Sequence, residues 1–278
     1  MTISKRDLLL TLAAVAAAAA AGTPVLAAEP GKAGTAEAVG HDMSHFPAHW
    51  HGAEKIAFLA YPQFTALDLV GPHYMLGNLM GATTHIVAKT REPVVSDMKL
   101  AIVPTATFDE CPMDLDIICV PGGSAGTLAA MQDEATIAFL RDRGSRAKYV
   151  TSVCTGSLVL GAAGLLRGYR ATSHWAARDV LQVFGAEPVD ARVVTDRNRI
   201  TGGGVTAGLD FGLTLVAQLR DETYARALQL LAEYQPAPPF NSGTPAAAGP
   251  EATAMMASMF TQFVTDARAA AAAAMRRL

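Results

Sequence analysis

Cys154 is the residue most clearly placed for nucleophilic chemistry. Tyr149 to Val153 is a β-branched run that reads as a buried strand, and Ser157 onward is a Leu/Ala run that reads as a helix, so Cys154 falls at the bend between them. Such a bend is a nucleophile elbow, and Ser152 and Gly156 supply the small neighbours it needs where strand and helix approach closely. A thiol there meets the positive dipole end of the helix, from which a lowered pKa is expected. The competing reading is a packed core cysteine, a common fate of a lone Cys in a Val-rich run.

Other residues of chemical interest lie near predicted strand ends. Asp68 stands between Leu67 and Leu69, where helix periodicity calls for an apolar residue, so it either caps the helix predicted over Tyr74 to Met80 or faces inward toward a site. Pro121-Gly122-Gly123 directly follows a predicted strand, and paired glycines let backbone N–H groups turn toward a ligand, although a plain tight turn reads the same. Ala171-Thr172-Ser173-His174-Trp175 could bring His174 toward the thiol, with a buried structural histidine as the alternative. The bend Thr201-Gly202-Gly203-Gly204 lacks the lysine of a phosphate loop and does not match the dinucleotide fingerprint.

The positioning elements alternate. Strand-like runs at Lys55 to Tyr61, Thr84 to Ala88, Asp116 to Val120, Tyr149 to Val153 and Arg192 to Asp196 are separated by helical spacing at Asp133 to Arg146 and Trp175 to Phe184, then at Ala207 to Leu219 and Thr223 to Tyr234. That order argues for an α/β parallel-sheet sandwich with helices on both faces, whose site gathers at the carboxyl ends of the strands.

Residues 1–28 read as an export signal. Lys5-Arg6 precedes an apolar run from Leu8 to Ala21, too short to span a bilayer, and Val25-Leu26-Ala27 gives a small-residue cleavage pattern. Ser4-Lys5-Arg6-Asp7-Leu8-Leu9 resembles a twin-arginine signal with Lys in place of the first Arg, which implies an exported, periplasmic protein with no membrane attachment after signal removal. Residues 29–53 form a linker carrying His41, His45, His49 and His51; without a cysteine or carboxylate cluster it reads as a polar arm, with Phe46 and Trp50 docking on the domain, rather than as a metal site. Residues 54–235 read as the folded domain that carries the candidate site. Residues 236–278 comprise a Pro-rich segment and a closing helix from Glu251 to Leu278, whose apolar stripe either packs back on the domain or contacts a second subunit.

With 51% hydrophobic and 17% charged residues the chain is globular, and a net charge of −3 offers no basic surface for nucleic acid. Three cysteines cannot all pair, so at least one thiol stays free.

Five ordered segments together resemble the PfpI/ThiJ superfamily, with its flavodoxin-like, class I glutamine-amidotransferase-like fold. They are Leu67-Asp68-Leu69-Val70-Gly71-Pro72, Val120-Pro121-Gly122-Gly123, Ser152-Val153-Cys154-Thr155-Gly156-Ser157, Ala171-Thr172-Ser173-His174-Trp175 and Glu233-Tyr234-Gln235-Pro236-Ala237-Pro238-Pro239-Phe240-Asn241. The last of these, with Asp68, looks most like the isonitrile (isocyanide) hydratase branch, which implies a homodimer without a cofactor. The resemblance implies Cys154 as nucleophile, Asp68 as proton donor or shuttle, Thr155 with the N–H groups of Gly122 and Gly123 steadying developing charge, and His174 in a supporting position. Protease-like members carry His where this chain has Thr155, so direct Cys–His peptide cleavage loses its base.

Two other classes compete. An effector-binding domain of a transcription regulator would be followed by a basic helix-turn-helix region, yet beyond Pro239 the only basic side chains are Arg268, Arg276 and Arg277. A redox or stress sensor would use the same cysteine through sulfenic or sulfinic acid.

Overall fold

Lys55–Leu59 (β1) is apolar and buried from Ile56 onward because both faces of this strand are covered there, as parallel sheets require. It is an interior strand of a seven-stranded sheet in a computed structural model that describes residues 46–278. The other strands are Thr83–Ala88 (β2), Ala106–Thr107 (β3), Ile117–Val120 (β4), Tyr149–Val153 (β5), Val193–Asp196 (β6) and Arg199–Gly202 (β7). Their order is β6-β7-β5-β4-β1-β2-β3, and every pairing is parallel except β6 with β7. In register, Cys119 faces Thr151, which in turn follows Ile200 of β7, so the strand ends of β4, β5 and β7 lie side by side.

The helices are Ala66–Gly77 (α1), Ala125–Gln132 (α2), Glu134–Arg146 (α3), Gly156–Ala162 (α4), Ala207–Leu219 (α5), Glu222–Leu231 (α6) and Pro245–Met275 (α7). α1 packs on α5, which packs on α6, while α2, α4 and a 3₁₀ helix at Arg178–Phe184 meet α7. α3 and α6 start where the sequence supplies acidic caps: Asp133 accepts from Thr136 N–H at 2.8 Å and Asp221 from Tyr224 N–H at 2.7 Å.

Several boundaries differ from the sequence reading, each for a local reason. α1 begins eight residues before Tyr74 because Pro72 is tolerated inside it. Pro72 forfeits one helical bond but packs on Gly208 of α5, where an added Cβ would lie 2.9 Å from its ring. β7 was hidden by the glycines that follow it. Over Trp175 to Phe184 only a 3₁₀ helix forms, ended by Gly185 in the left-handed region at φ 72°. Pro245, read as part of an extended segment, opens α7 at its first turn, and the helix is interrupted at Gly249 (φ 80°).

Pro47–Leu278 pack as one unit. The His-containing arm is thus part of the domain from Pro47 onward: Trp50 Nε1 donates to Asp221 at 2.8 Å and its ring meets Tyr224 edge-on, whereas Phe46 is 42% exposed. The export segment, His41 and His45 lie outside the described residues. α7 buries Ala267, Ala270, Ala271 and Ala274 against its own domain, so its C-terminal half packs back, while Met255 and Met259 stay exposed. Among the described residues no helix is long and apolar enough to cross a membrane.

Candidate active site

The elbow forms where β5 ends. Cys154 has φ 58°, a left-handed conformation that a non-glycine residue adopts only when its surroundings hold it there. Its N–H donates to Gly202 O at the end of β7 at 3.0 Å, and its carbonyl accepts from Ser157 Oγ at 3.2 Å and Ser173 Oγ at 3.1 Å. α4 leaves at once under the β4 strand end, and a Cβ on Gly156 would overlap the Val120 carbonyl. Cys154 as a whole is 6% exposed, so its thiol lies inside the domain.

Asp68 reaches the same point from α1, with its carboxyl fully buried. Two loops are zipped together to put it there: Thr65 N–H donates to Gly122 O at 2.8 Å, and Gly122 N–H donates back to Asp68 Oδ2 at 2.9 Å. Asp68 is therefore no cap; the N-cap position is Thr65, whose hydroxyl bonds Asp97 instead. Burial raises the Asp68 carboxyl to about 7, against the opposing pull of the Gly122 N–H and a hydrogen bond with the Cys154 thiol. Its Oδ1 has no aligned donor.

The Cys154 thiol is pushed well above its ordinary pKa, first by burial and then by the negative charge of Asp68; hydrogen bonds from Thr155 oppose this without winning. The lowered value expected from the helix dipole is thus reversed. α4 is only a seven-residue helix, and a buried sulfur near a carboxyl loses more by desolvation than the dipole returns. The resting pair is a neutral thiol beside an acid poised near neutrality.

Thr155 anchors a buried hydroxyl chain behind the sulfur. Its Oγ1 donates to Gly123 O at 2.6 Å, accepts from Gly123 N–H at 3.0 Å and lies 2.9 Å from Thr127 Oγ1, which lies 3.3 Å from the Tyr61 hydroxyl. The N–H groups of Gly122 and Gly123 are therefore already engaged, holding Asp68 and Thr155 respectively. No side chain fits at Gly122: an added Cβ would be 2.6 Å from Thr155 N and 2.9 Å from Asp68 Oδ2.

His174 does not bond the site. Its ring packs 5.1 Å from Phe260 and 5.7 Å from Trp175, and burial lowers its pKa, leaving it neutral at pH 7. The preceding residue, Ser173, makes the link to Cys154 instead. Ser173, Thr127 and Tyr61 escaped the sequence reading, since a lone hydroxyl carries no spacing signal; only the position of Ser173 inside an already noted segment hinted at it. His49 Nε2 pairs with Asp221 at 2.6 Å and His51 is exposed; no cluster able to hold a metal ion occurs among the described residues.

An α/β sheet with a cysteine on a strained strand-to-helix turn and a carboxyl brought to it from the first helix defines a class of cysteine-elbow proteins. Residues 54–218 match the DJ-1/PfpI family, and the chain belongs to it. It is 54% identical over 193 residues to an isonitrile hydratase of Pseudomonas putida, which covers 69% of this chain and 84% of that protein. A ThiJ/PfpI family protein from Pseudomonas syringae superposes with a TM-score of 0.80 at 56% identity, over 90% of this chain and 99% of that one. The HTH-type transcriptional regulator GbdR of Pseudomonas aeruginosa is 29% identical over 197 residues, but the chain spans only 53% of its length.

Proposed function

We propose that this protein hydrates an isonitrile, R–N≡C, to an N-substituted formamide through a thioimidate on Cys154. The observation that carries this reading is the fully buried Asp68 carboxyl, held by the Gly122 N–H at 2.9 Å, whose charge acts on the Cys154 thiol; the likeness to an isonitrile hydratase supports it.

The active pair holds one proton, on sulfur, with Asp68 ionised. Asp68 takes the thiol proton as sulfur attacks the terminal carbon, and passes it to that same carbon, giving R–N=CH–S–Cys. A carboxyl near pKa 7 is matched to both halves of that transfer at neutral pH. Water then adds to the thioimidate carbon. Collapse of the adduct breaks the C–S bond, releases R–NH–CHO and returns the proton to sulfur. Thr155, whose backbone N–H favours negative sulfur, steadies the charge that develops there. Gly122 and Gly123 act by fixing Asp68 and Thr155.

The test is formamide production from an isonitrile, followed by NMR, with intact-mass detection of the cysteine adduct. Cys154→Ala is expected to abolish both signals, and formamide formed by that variant would refute the assignment.

The reading extends to the whole chain as an exported homodimer. Residues 1–28 direct a twin-arginine-like export to the periplasm, tested by N-terminal sequencing of the periplasmic protein. The exposed Met255 and Met259 suit a subunit contact, tested by sedimentation.

A further inference from the structure

Beyond the elbow, the structure holds an aromatic groove of about 330 Å³ that the chemistry above does not use. Its walls include Trp175 and Ala176 on one side and Phe260, Thr261 and Val264 of α7 on the other. The groove is tied closely to the nucleophile. Ser173 Oγ bonds the Cys154 carbonyl at 3.1 Å, and Trp175 stands two residues further on. Between them, the His174 ring bridges to Phe260 at 5.1 Å and lies where a Cβ added at Gly204 would reach it at 3.9 Å, two residues past the Gly202 carbonyl that receives the Cys154 N–H. Trp175 and Phe260 meet edge to face at 6.3 Å, and Phe260 meets Phe263 at 6.4 Å.

An isonitrile gives the catalytic pair one small polar end; the rest of its recognition depends on the substituent R, which the linear C–N–C axis carries away from sulfur. A wall of uncharged rings joined to the elbow through residues 173–175 offers an apolar substituent dispersion and burial, and the groove volume lies at the lower end of small-ligand sites, about 300 to 1,000 Å³. We propose that this groove binds the N-substituent of the substrate, so that Phe260 and Trp175 set specificity and α7, beyond the matched residues 54–218, is the specificity element. Phe260 and Val264 turn to this groove, while Met255 and Met259 lie roughly opposite on the helix at about 100° per residue. The groove face is thus distinct from the methionine face assigned to a subunit contact.

The inference rests on the isonitrile reading, and the test separates the two. Phe260 is half-buried on the exposed half of α7, so Phe260→Ala leaves the folded core intact. Steady-state kinetics on the full chain compare methyl isonitrile with an aryl isonitrile. Phe260→Ala is expected to raise KM for the aryl substrate at least about tenfold with kcat held within twofold, to leave methyl isonitrile unchanged, and to be partly rescued in Phe260→Leu. Equal effects on both substrates, or none, overturn the groove and leave the hydratase reading standing. Loss of a dimer in Phe260→Ala with unaltered kinetics assigns the face to a second copy and also overturns it. No turnover of either isonitrile by the unmodified protein sinks the hydratase reading and the groove with it.

Discussion

Burying a carboxyl group costs stability, and Asp68 does so for the sake of a proton that can move. Unfolded, it titrates near 3.8; folded, near 7. Between those values the folded chain holds a proton that the unfolded chain has released, so stability falls as pH rises from about 4 to about 7 and stays reduced above. The two pKa values bound the effect at about 4 kcal/mol. Asn at position 68 can keep the Gly122 bond without carrying charge. Urea unfolding is therefore expected to show Asp68→Asn more stable than the unmodified protein at pH 8 and close to it at pH 4. The same substitution is expected to cut turnover at least about a hundredfold. In the unmodified protein kcat/KM should rise roughly tenfold per pH unit below about 7 and level off above it, because only ionised Asp68 can accept the thiol proton. A profile that instead fell above pH 7 would make the fully protonated pair the active form. Asp68 was legible as a carboxylate out of place among leucines. Its partner Gly122 was not, because a contact between residues 54 positions apart leaves no periodicity.

At the scale of elements, the site exists because four segments end at one place: β5 turns at Cys154, β4 delivers Gly122 and Gly123, β7 takes the Cys154 N–H, and α1 starts on the β4 loop. Gly122 is the joint that lets them meet. In Gly122→Ala the new Cβ has backbone on one side and the Asp68 carboxyl on another, so it must displace one of them. Far-UV circular dichroism is expected to show the fold retained, at a stability cost of about 1 to 3 kcal/mol. Activity should fall roughly a hundredfold, the scale of a small misplacement of reacting groups. Full activity in that variant would show that Asp68 does not need its present position. Strand β5 and helix α5 were readable to the residue from their apolar runs. The start of α1 and strand β7 were not, since Pro72 and the glycines at 202–204 signal breaks locally and are overruled by packing against Gly208 and pairing with β5. The raised pKa of Cys154 was equally hidden: the elbow's dipole is visible in sequence, whereas the depth at which the sulfur lies is set by the whole sheet.

At the scale of the molecule, chemistry and cohesion are kept at opposite ends of the strands. The thiol sits at the carboxyl ends; at the amino end of β1, Arg220 gathers three segments into the domain. Its guanidinium, 3% exposed, bonds Glu54 through both nitrogens at 2.5 and 2.8 Å, donates to Trp50 O at 2.7 Å from the arm, and reaches Met80 O at 3.1 Å beyond α1. Glu54 is held below the usual carboxylate range chiefly by that pairing. Removing the cation strands a half-buried carboxylate and the Trp50 carbonyl, so Arg220→Met is expected to destabilise the protein by about 3 to 5 kcal/mol. Because Glu54 has a lowered folded pKa, the pair's contribution is present above the unfolded value near 4.5 and fades as pH falls through the folded one. The penalty should therefore be largest at pH 7 and shrink toward pH 3, read from denaturant midpoints across that range. Turnover per folded molecule should be unchanged, since the catalytic pair draws nothing from this cluster. A loss of activity matching the loss of Asp68 would mean that the arm and the elbow are coupled through β1, and the separation of the two ends would fail.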